Sequence, residues 1–377
     1  MTVTIKTLTL HEIRLQLREP FTISSGTISM RRILLLELTS MEGATAWAEC
    51  VAGEMPNYSP ETIDTCAFAI REWIALRVLG RTFDHPNDVS PELERNFRGH
   101  RMAKAAIEMG VWALSAIHDG VSLAEQIGGQ REEIETGISL GIEPTPADLV
   151  ERARAAFEEG YRKVKIKIQP GSDIEFLQAA RDAVGSDAAL MADANNAYTS
   201  ADFDHLTRFD ELNLMMIEQP LAWDDVVQHA ELQKRMRTPI CLDESITGCD
   251  RAADMIALGG GRIVNIKPGR VGGFSESIRI HDLCAKHGIP VWCGGMFESG
   301  IGRSYNVALA SLPNFTLPGD LSPSARYWEQ DIVTPEWTMD GEGRVKVPRS
   351  EPGIGVTVDV DRIADLTVRQ ETICESP

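Results

Sequence analysis

The sequence predicts an α/β protein, with a (β/α)8-type (modified TIM) barrel as its main body and a strand-rich region ahead of it. Three observations support this. From about residue 134 short apolar strands alternate with amphipathic helices, the pattern of a parallel sheet with helices outside it. The strands number eight, the count that closes such a barrel. Charged residues at five successive strand ends keep step with the alternation. An open doubly wound sheet would produce the same rhythm, but no strand runs into the GxGxxG turn that would favour it.

The chain has 377 residues, enough for two domains. Lys+Arg 37 against Asp+Glu 56 gives a net charge of −19, which argues against nucleic-acid or anionic-membrane partners. Seven cysteines are scattered without CxxC spacing, so a disulfide framework or zinc site is not expected and a reducing cytoplasm is. No apolar run approaches the roughly 20 residues that span a bilayer.

The elements follow in order. "TIKTLTLHEIRLQL", "RILLLELTS" and, after the turn "MEGA", "TAWAECVA" read as an antiparallel meander. "SPETIDTCAFAIREWIALRVLG" and "HRMAKAAIEMGVWALSAIHDG" read as helices closing on Gly80 and Gly120. The barrel strands are IETGISLGI, RKVKIKI, ALMADAN, LNLMMIEQP, TPICLDE, RIVNIKP, IPVWCGG and FTLPGD. Helical patterns such as "PADLVERARAAFEEG" and "DIEFLQAARDAVG" lie between them. This divides the chain into 1–132, a barrel over 133–321, and a tail over 322–377 expected to return to the N-terminal region.

Active-site residues of such barrels gather at the C-terminal ends of the strands. Those ends carry Lys165 and Lys167, Asp193 with Asn195, Glu218, Asp243 with Glu244, and Lys267. The steps from Lys167 to Asp193, Glu218, Asp243 and Lys267 are 26, 25, 25 and 24 residues, one strand–helix unit each. Three buried carboxylates side by side need cations. With oxygen donors and no His or Cys set, Mg2+ is the first expectation, and Mn2+ or another divalent cation the second. The acids could instead simply pair with the lysines in a polar barrel interior.

In "KVKIKIQPG" the apolar face packs beneath the helices, turning Lys165 and Lys167 inward. Lys163, nearest the start of that strand, is expected in a structural ion pair. Lys267 would lie across the ring, and nearby cations with partial desolvation would push a lysine toward its neutral form. Two lysines flanking a carboxylate substrate suit removal of the α-proton on one face and its return on the other.

The stretches "GHRMAKAAIEM", "GYRKVKIKIQPG", "DANNAY", "IEQPL", "TPICLDESI", "IVNIKPGRVGG", "VWCGGMFESGIGRSYNVALASLP" and "FTLPGDLS" together resemble the enolase superfamily. Within its muconate-lactonising subgroup they are similar to the branch shared by o-succinylbenzoate synthases and N-acylamino acid (N-succinylamino acid) racemases. The resemblance implies an α+β capping domain built from both termini. It also implies Mg2+ on Asp193, Glu218 and Asp243, and Lys167 with Lys267 as the acid/base pair. A lysine base with Mg2+ is the established pattern of that superfamily. Lys165 and Asn195 would hold the substrate carboxylate, and Ser139, Gly295 and Met296 would line the substrate site. Glu244 is expected behind these groups, as is Arg270, either tuning Lys267 or resting in a surface salt bridge.

Substrate choice would come from the lid stretches 21–29 and 54–60, where Phe21 and Tyr58 could equally be simple packing. Ser25 stands where an aromatic residue is common in that branch. The implied reaction is racemisation of N-succinylamino acids, or dehydration to o-succinylbenzoate, by a homo-oligomer acting on a small carboxylate. A Schiff-base aldolase and a non-catalytic binding protein are the competing classes.

Overall fold

In the computed structural model, which describes residues 2–24 and 26–374, the chain begins with a long antiparallel meander. Strand β1 (Val3–Ile23) pairs with β2 (Gly26–Ser40), and β2 with β3 (Thr45–Cys50). Leu10 faces Leu36, which faces Ala48. Both faces of the sheet are covered at its centre, where residues 8–13 of β1 and 33–36 of β2 are buried without a break. The turn at Met41–Ala44 closes with the Ser40 amide donating to the Ala44 carbonyl at 2.8 Å.

The helix Arg101–Asp119 packs on this sheet. A Cβ at Gly110 would fall 2.7 Å from Leu38 Cδ1, so only glycine allows this approach. The helix ends at Gly120, which takes the left-handed conformation (φ 70°). The preceding helical stretch starts at Ile63 rather than at the expected Ser59-Pro60. Thr62 is the better cap: its hydroxyl accepts from the Thr65 amide, and the Thr65 hydroxyl accepts from the Thr62 amide. A π-turn at Ile70–Ile74 interrupts that helix.

Seven parallel strands follow in sequence order: β4 (Gly137–Leu140), β5 (Lys163–Lys167), β6 (Leu190–Asp193), β7 (Ile217–Glu218), β8 (Ile240–Leu242), β9 (Ile263–Ile266) and β10 (Val291–Cys293). Helices Pro146–Glu158, Ile174–Val184, Val227–Arg235, Cys249–Leu258 and Phe274–Lys286 connect them on the outside. Beyond the helix Gly300–Ala310, Phe315 makes a parallel bridge to Val291 and Gly319 one to Thr136. The tail contributes β11 (Thr367–Cys374), antiparallel to β1 from Thr7↔Cys374 to Ile13↔Thr367.

Two apolar clusters form. The larger joins the outer faces of the barrel strands, the surrounding helices and the sheet. The smaller lies on the opposite face of these strands and contains Met191, Met216, Cys241, Ile263 and Trp292. Each fully buried large apolar side chain contributes on the order of 1.5–3 kcal/mol. All seven cysteines are unpaired. Among the described residues no helix is long and apolar enough to cross a membrane.

Candidate active site

Alternation along the seven parallel strands sends every second side chain to the face turned away from the helices. Near the strand starts these are Lys163 and the small apolar cluster. Lys163 is fully buried, with Nζ 3.2 Å from Asp320 Oδ1 and 3.6 Å from the centroid of the Trp292 ring. The Asp320 contact is one of charges rather than an aligned hydrogen bond. The expected ion pair is present, and the aromatic face adds to it.

Two residues further along the same faces stand Lys165, Asp193, Glu218, Asp243 and Asn265. Strand register makes Asp193 the direct neighbour of both Lys167 and Glu218. Lys165 Nζ lies 3.4 Å from Asp193, 3.2 Å from Glu218 and 2.5 Å from Asp320. Lys167 Nζ donates to Asp193 Oδ2 at 2.6 Å and Asn195 Oδ1 at 2.7 Å. Past the end of β9, Lys267 Nζ donates to Asp243 Oδ2 at 2.8 Å and to the Tyr58 hydroxyl at 3.1 Å. A Cβ at Gly294 would fall 2.6 Å from Lys267 Cε, so the glycine leaves that lysine room.

Arg270 is buried and donates through Nη1 to Asp243, and through Nη2 to the Asn265 carbonyl at 2.6 Å. It belongs to the site and is not a surface salt bridge. Glu244 Oε1 accepts from Asn195 at 3.3 Å and Asn196 at 3.2 Å, while its Oε2 is buried without a partner. The Ser139 hydroxyl is likewise buried and unpartnered. Ser139, Gly295 and Met296 line one cavity with Lys165, Lys167, Asn195 and Lys267. Just past β6, β7 and β10, Asn195 (φ 42°), Gln219 (φ 38°) and Phe297 (φ 57°) hold left-handed backbone. Such strain collects at functional rims.

Burial alone would push Lys165 toward its neutral form, but Asp320, Glu218 and Asp193 outweigh it and hold it well above the usual value. Lys267 behaves alike: burial lowers it, and Asp243 with Tyr58 raises it further. The sequence-based expectation of a lysine driven neutral is therefore corrected at both positions. Close carboxylates win over desolvation there. Glu218 is pushed well above the carboxylate range by burial and by Asp193. Glu244 is raised to about 7 by burial, Asp243 and Asp193. Asp193 goes the other way: burial raises it, but Lys167 and Lys165 bring it down to about 2.

Among the described residues the acids do not converge on one point as a ready-made cation cage; Asp193 pairs with Lys167 and Asp243 with Lys267. The donor chemistry nevertheless fits a hard divalent cation. Three oxygen-donor carboxylates sit on neighbouring strands, and burial, with Asp193 beside it, raises Glu218, a shift that a cation would reverse.

Two residues, Asn265 and Asp320, carry no signal singled out in the sequence, and a third, Tyr58, is decided by the structure. Asn265 donates to Glu218 Oε1 at 2.8 Å and stands two residues before Lys267, so parity could have found it. Asp320 ends the eighth predicted strand and holds both Lys163 and Lys165. Tyr58, left open as possible packing, donates to Asp243 Oδ1 at 2.9 Å and brings the capping region onto Lys267. Phe21 also lines the cavity and packs edge-on against Phe297, with centroids 5.0 Å apart. Ser25 lies outside the described residues.

Residues 5–128 match the mandelate racemase / muconate lactonizing enzyme N-terminal domain family, and residues 148–362 match the enolase C-terminal domain-like family. The chain belongs to the enolase superfamily. Among relatives of this superfamily member, o-succinylbenzoate synthase of Bacillus subtilis is 46% identical over 373 residues, covering 99% of each chain. N-succinylamino acid racemase of an Amycolatopsis species is 45% identical over 358 residues, covering 95% of this chain and 96% of the relative. A crystal structure of an enolase-superfamily member from Listeria innocua is 38% identical, with a TM-score of 0.95 and 99% of each chain covered. The protein is an enzyme of the group that contains these relatives.

Proposed function

We propose that this enzyme abstracts the proton α to a substrate carboxylate through an enediolate, and that it racemises N-succinyl or other N-acyl amino acids. The observation that carries this reading is the approach of Lys167 and Lys267 to one cavity from β5 and from the far end of β9, with β6, β7 and β8 between them. A neutral lysine on one side takes the Cα proton, and the ammonium on the other delivers one to the opposite face. The two lysines exchange states and no net proton is consumed.

Asp193, Glu218 and Asp243 would hold Mg2+, with Mn2+ or another divalent cation as substitute. When bound, the cation supplies positive charge that favours the enediolate over the carboxylate. Lys165, held protonated by its acids, adds a fixed cation beside it. Ser139, with no partner of its own, has a hydroxyl free for the substrate, and Asn195 orients Lys167.

Dehydration to o-succinylbenzoate is the second reading, favoured by the 46% identity to the Bacillus subtilis synthase. There one lysine takes the α-proton and gives it to the departing β-hydroxyl, which leaves as water, while the other lysine remains a cation. Both reactions use the same groups, and one enzyme can carry both. We read Phe315–Asp320 as the eighth barrel strand, supported by its bridges to Val291 and Thr136. Boundaries near 132 and 321 are proposed for the capping and barrel units, together with a homo-oligomeric assembly.

The test is deuterium uptake at the α-carbon of N-succinylamino acids in heavy water, assayed beside o-succinylbenzoate formation. Both enantiomers should exchange and chelation should stop it. Lys167→Ala and Lys267→Ala should each lose racemisation by about 10²–10⁴-fold. Either variant racemising at near wild-type rate would sink the two-base reading, and borohydride trapping of substrate on a lysine would favour an aldolase instead.

A further inference from the structure

One wall of the cavity comes from the capping sheet, and it carries a cation that the chemistry above does not use. Arg31 lies on β2 beside the point where β3 has left the sheet. Leu35 pairs with Glu49, so alternation puts Arg31, Ile33 and Leu35 on one sheet face together with Glu49 and Val51. That face meets the segment after β10. Glu49 accepts there from the Ser299 amide at 3.0 Å, the Ser299 hydroxyl at 2.6 Å and the Gly302 amide at 3.2 Å.

Arg31 is 5% exposed and opens on the same cavity as Lys167 and Lys267. Its Nη2 makes a long 3.4 Å hydrogen bond to the Val51 carbonyl, and its Nε is buried with no partner. Among the described residues no carboxylate forms an ion pair with it. The nearest acids are committed elsewhere. Burial raises Glu49 to about 8, so it holds its proton at neutral pH. Glu298 accepts from Asn306 at 2.8 Å and lies 3.8 Å from Arg303. Glu54 is exposed. A buried, unneutralised guanidinium is costly to the fold, and its planar donors suit a carboxylate.

We propose that Arg31 receives a second anionic group of the substrate, distal to the carboxylate held by the barrel lysines. The enzyme thereby selects acyl groups that end in a carboxylate over neutral acyl groups of the same length. This rests on the reading under Proposed function and deepens it, because it assigns the choice among acyl groups to one residue of the capping sheet. A purely structural arginine, tying β2 to Val51, would not distinguish the two acyl groups.

The experiment compares N-succinylphenylalanine with N-succinamoylphenylalanine, which replaces the distal carboxylate by its amide. Wild-type kcat/KM should favour the succinyl compound by roughly 10²-fold, a ratio expected where a buried donor loses its charged acceptor. In Arg31→Met the ratio should fall toward one, mainly through KM for the succinyl compound, and Arg31→Lys should retain part of it. A wild-type ratio near one overturns the proposal. So does an equal slowing of both substrates by Arg31→Met, or by Arg31→Lys if the Met variant does not fold. Calorimetric binding of N-succinylphenylalanine gives a readout without turnover. If wild-type enzyme exchanges no α-proton, the reaction reading fails, whereas binding that weakens in Arg31→Met still supports the anion site and unchanged binding removes it.

Discussion

The same inward faces of the same barrel strands serve two ends, two residues apart. Met191, Met216, Cys241 and Trp292 pack near the strand starts as a small apolar cluster. Two positions on stand Asp193, Glu218 and Asp243, equally buried. The first set favours folding by leaving water. The second gives up hydration and recovers it only through paired charges, so removing one member harms more than its contacts suggest. Depth of burial therefore does not separate packing from chemistry here. Partner chemistry does.

That contrast can be broken by measurement. Lys267→Ala should give the largest effect on turnover, a loss of about 10²–10⁴-fold, while Arg270 still holds Asp243 and urea unfolding shifts far less. Comparable losses of activity and stability would erase the distinction. Trp292→Ala should do the reverse, costing about 3–5 kcal/mol in urea unfolding because it opens a cavity and uncovers Lys163. Asp320→Asn strips Lys163 and Lys165 of a shared carboxylate and should cost about 3 kcal/mol by the same measurement, somewhat less because Trp292 still faces Lys163. No change would mean that the paired charges contribute nothing.

A gradual effect, small at any single pH step, concerns Glu49, which burial raises to about 8 from an ordinary value of 4.5. The folded state then binds the proton more tightly than the unfolded one. Stability from this group is full below pH 4.5 and is lost as pH climbs toward 8. Glu49→Gln should flatten that decline, so variant and wild type diverge by roughly 1 kcal/mol per pH unit inside the window. Parallel pH curves would contradict it.

The rim acids and lysines were legible because a repeating strand–helix unit stamps its period on the sequence. Asn265 obeys the same parity but is uncharged, so it escaped notice. Tyr58 and Arg31 reach the cavity from the capping region, whose placement over the barrel depends on contacts between segments far apart in the chain. Periodicity within either segment carries no record of that docking. Lys165 and Lys267 depart from the sequence-based expectation because desolvation is visible in a strand pattern, whereas the carboxylates gathered around each of them are not.

The pairing of β11 with β1 carries a consequence for how the chain is made. Thr7 waits for Cys374, so the more than 350 residues between the paired positions must be synthesised before that side of β1 is covered. At about 5–20 residues per second that is roughly 20 to 70 seconds of an open strand edge. β1 runs for 21 residues, long for an edge left available to other chains. During synthesis this edge is where the nascent chain most needs protection from pairing with a neighbour.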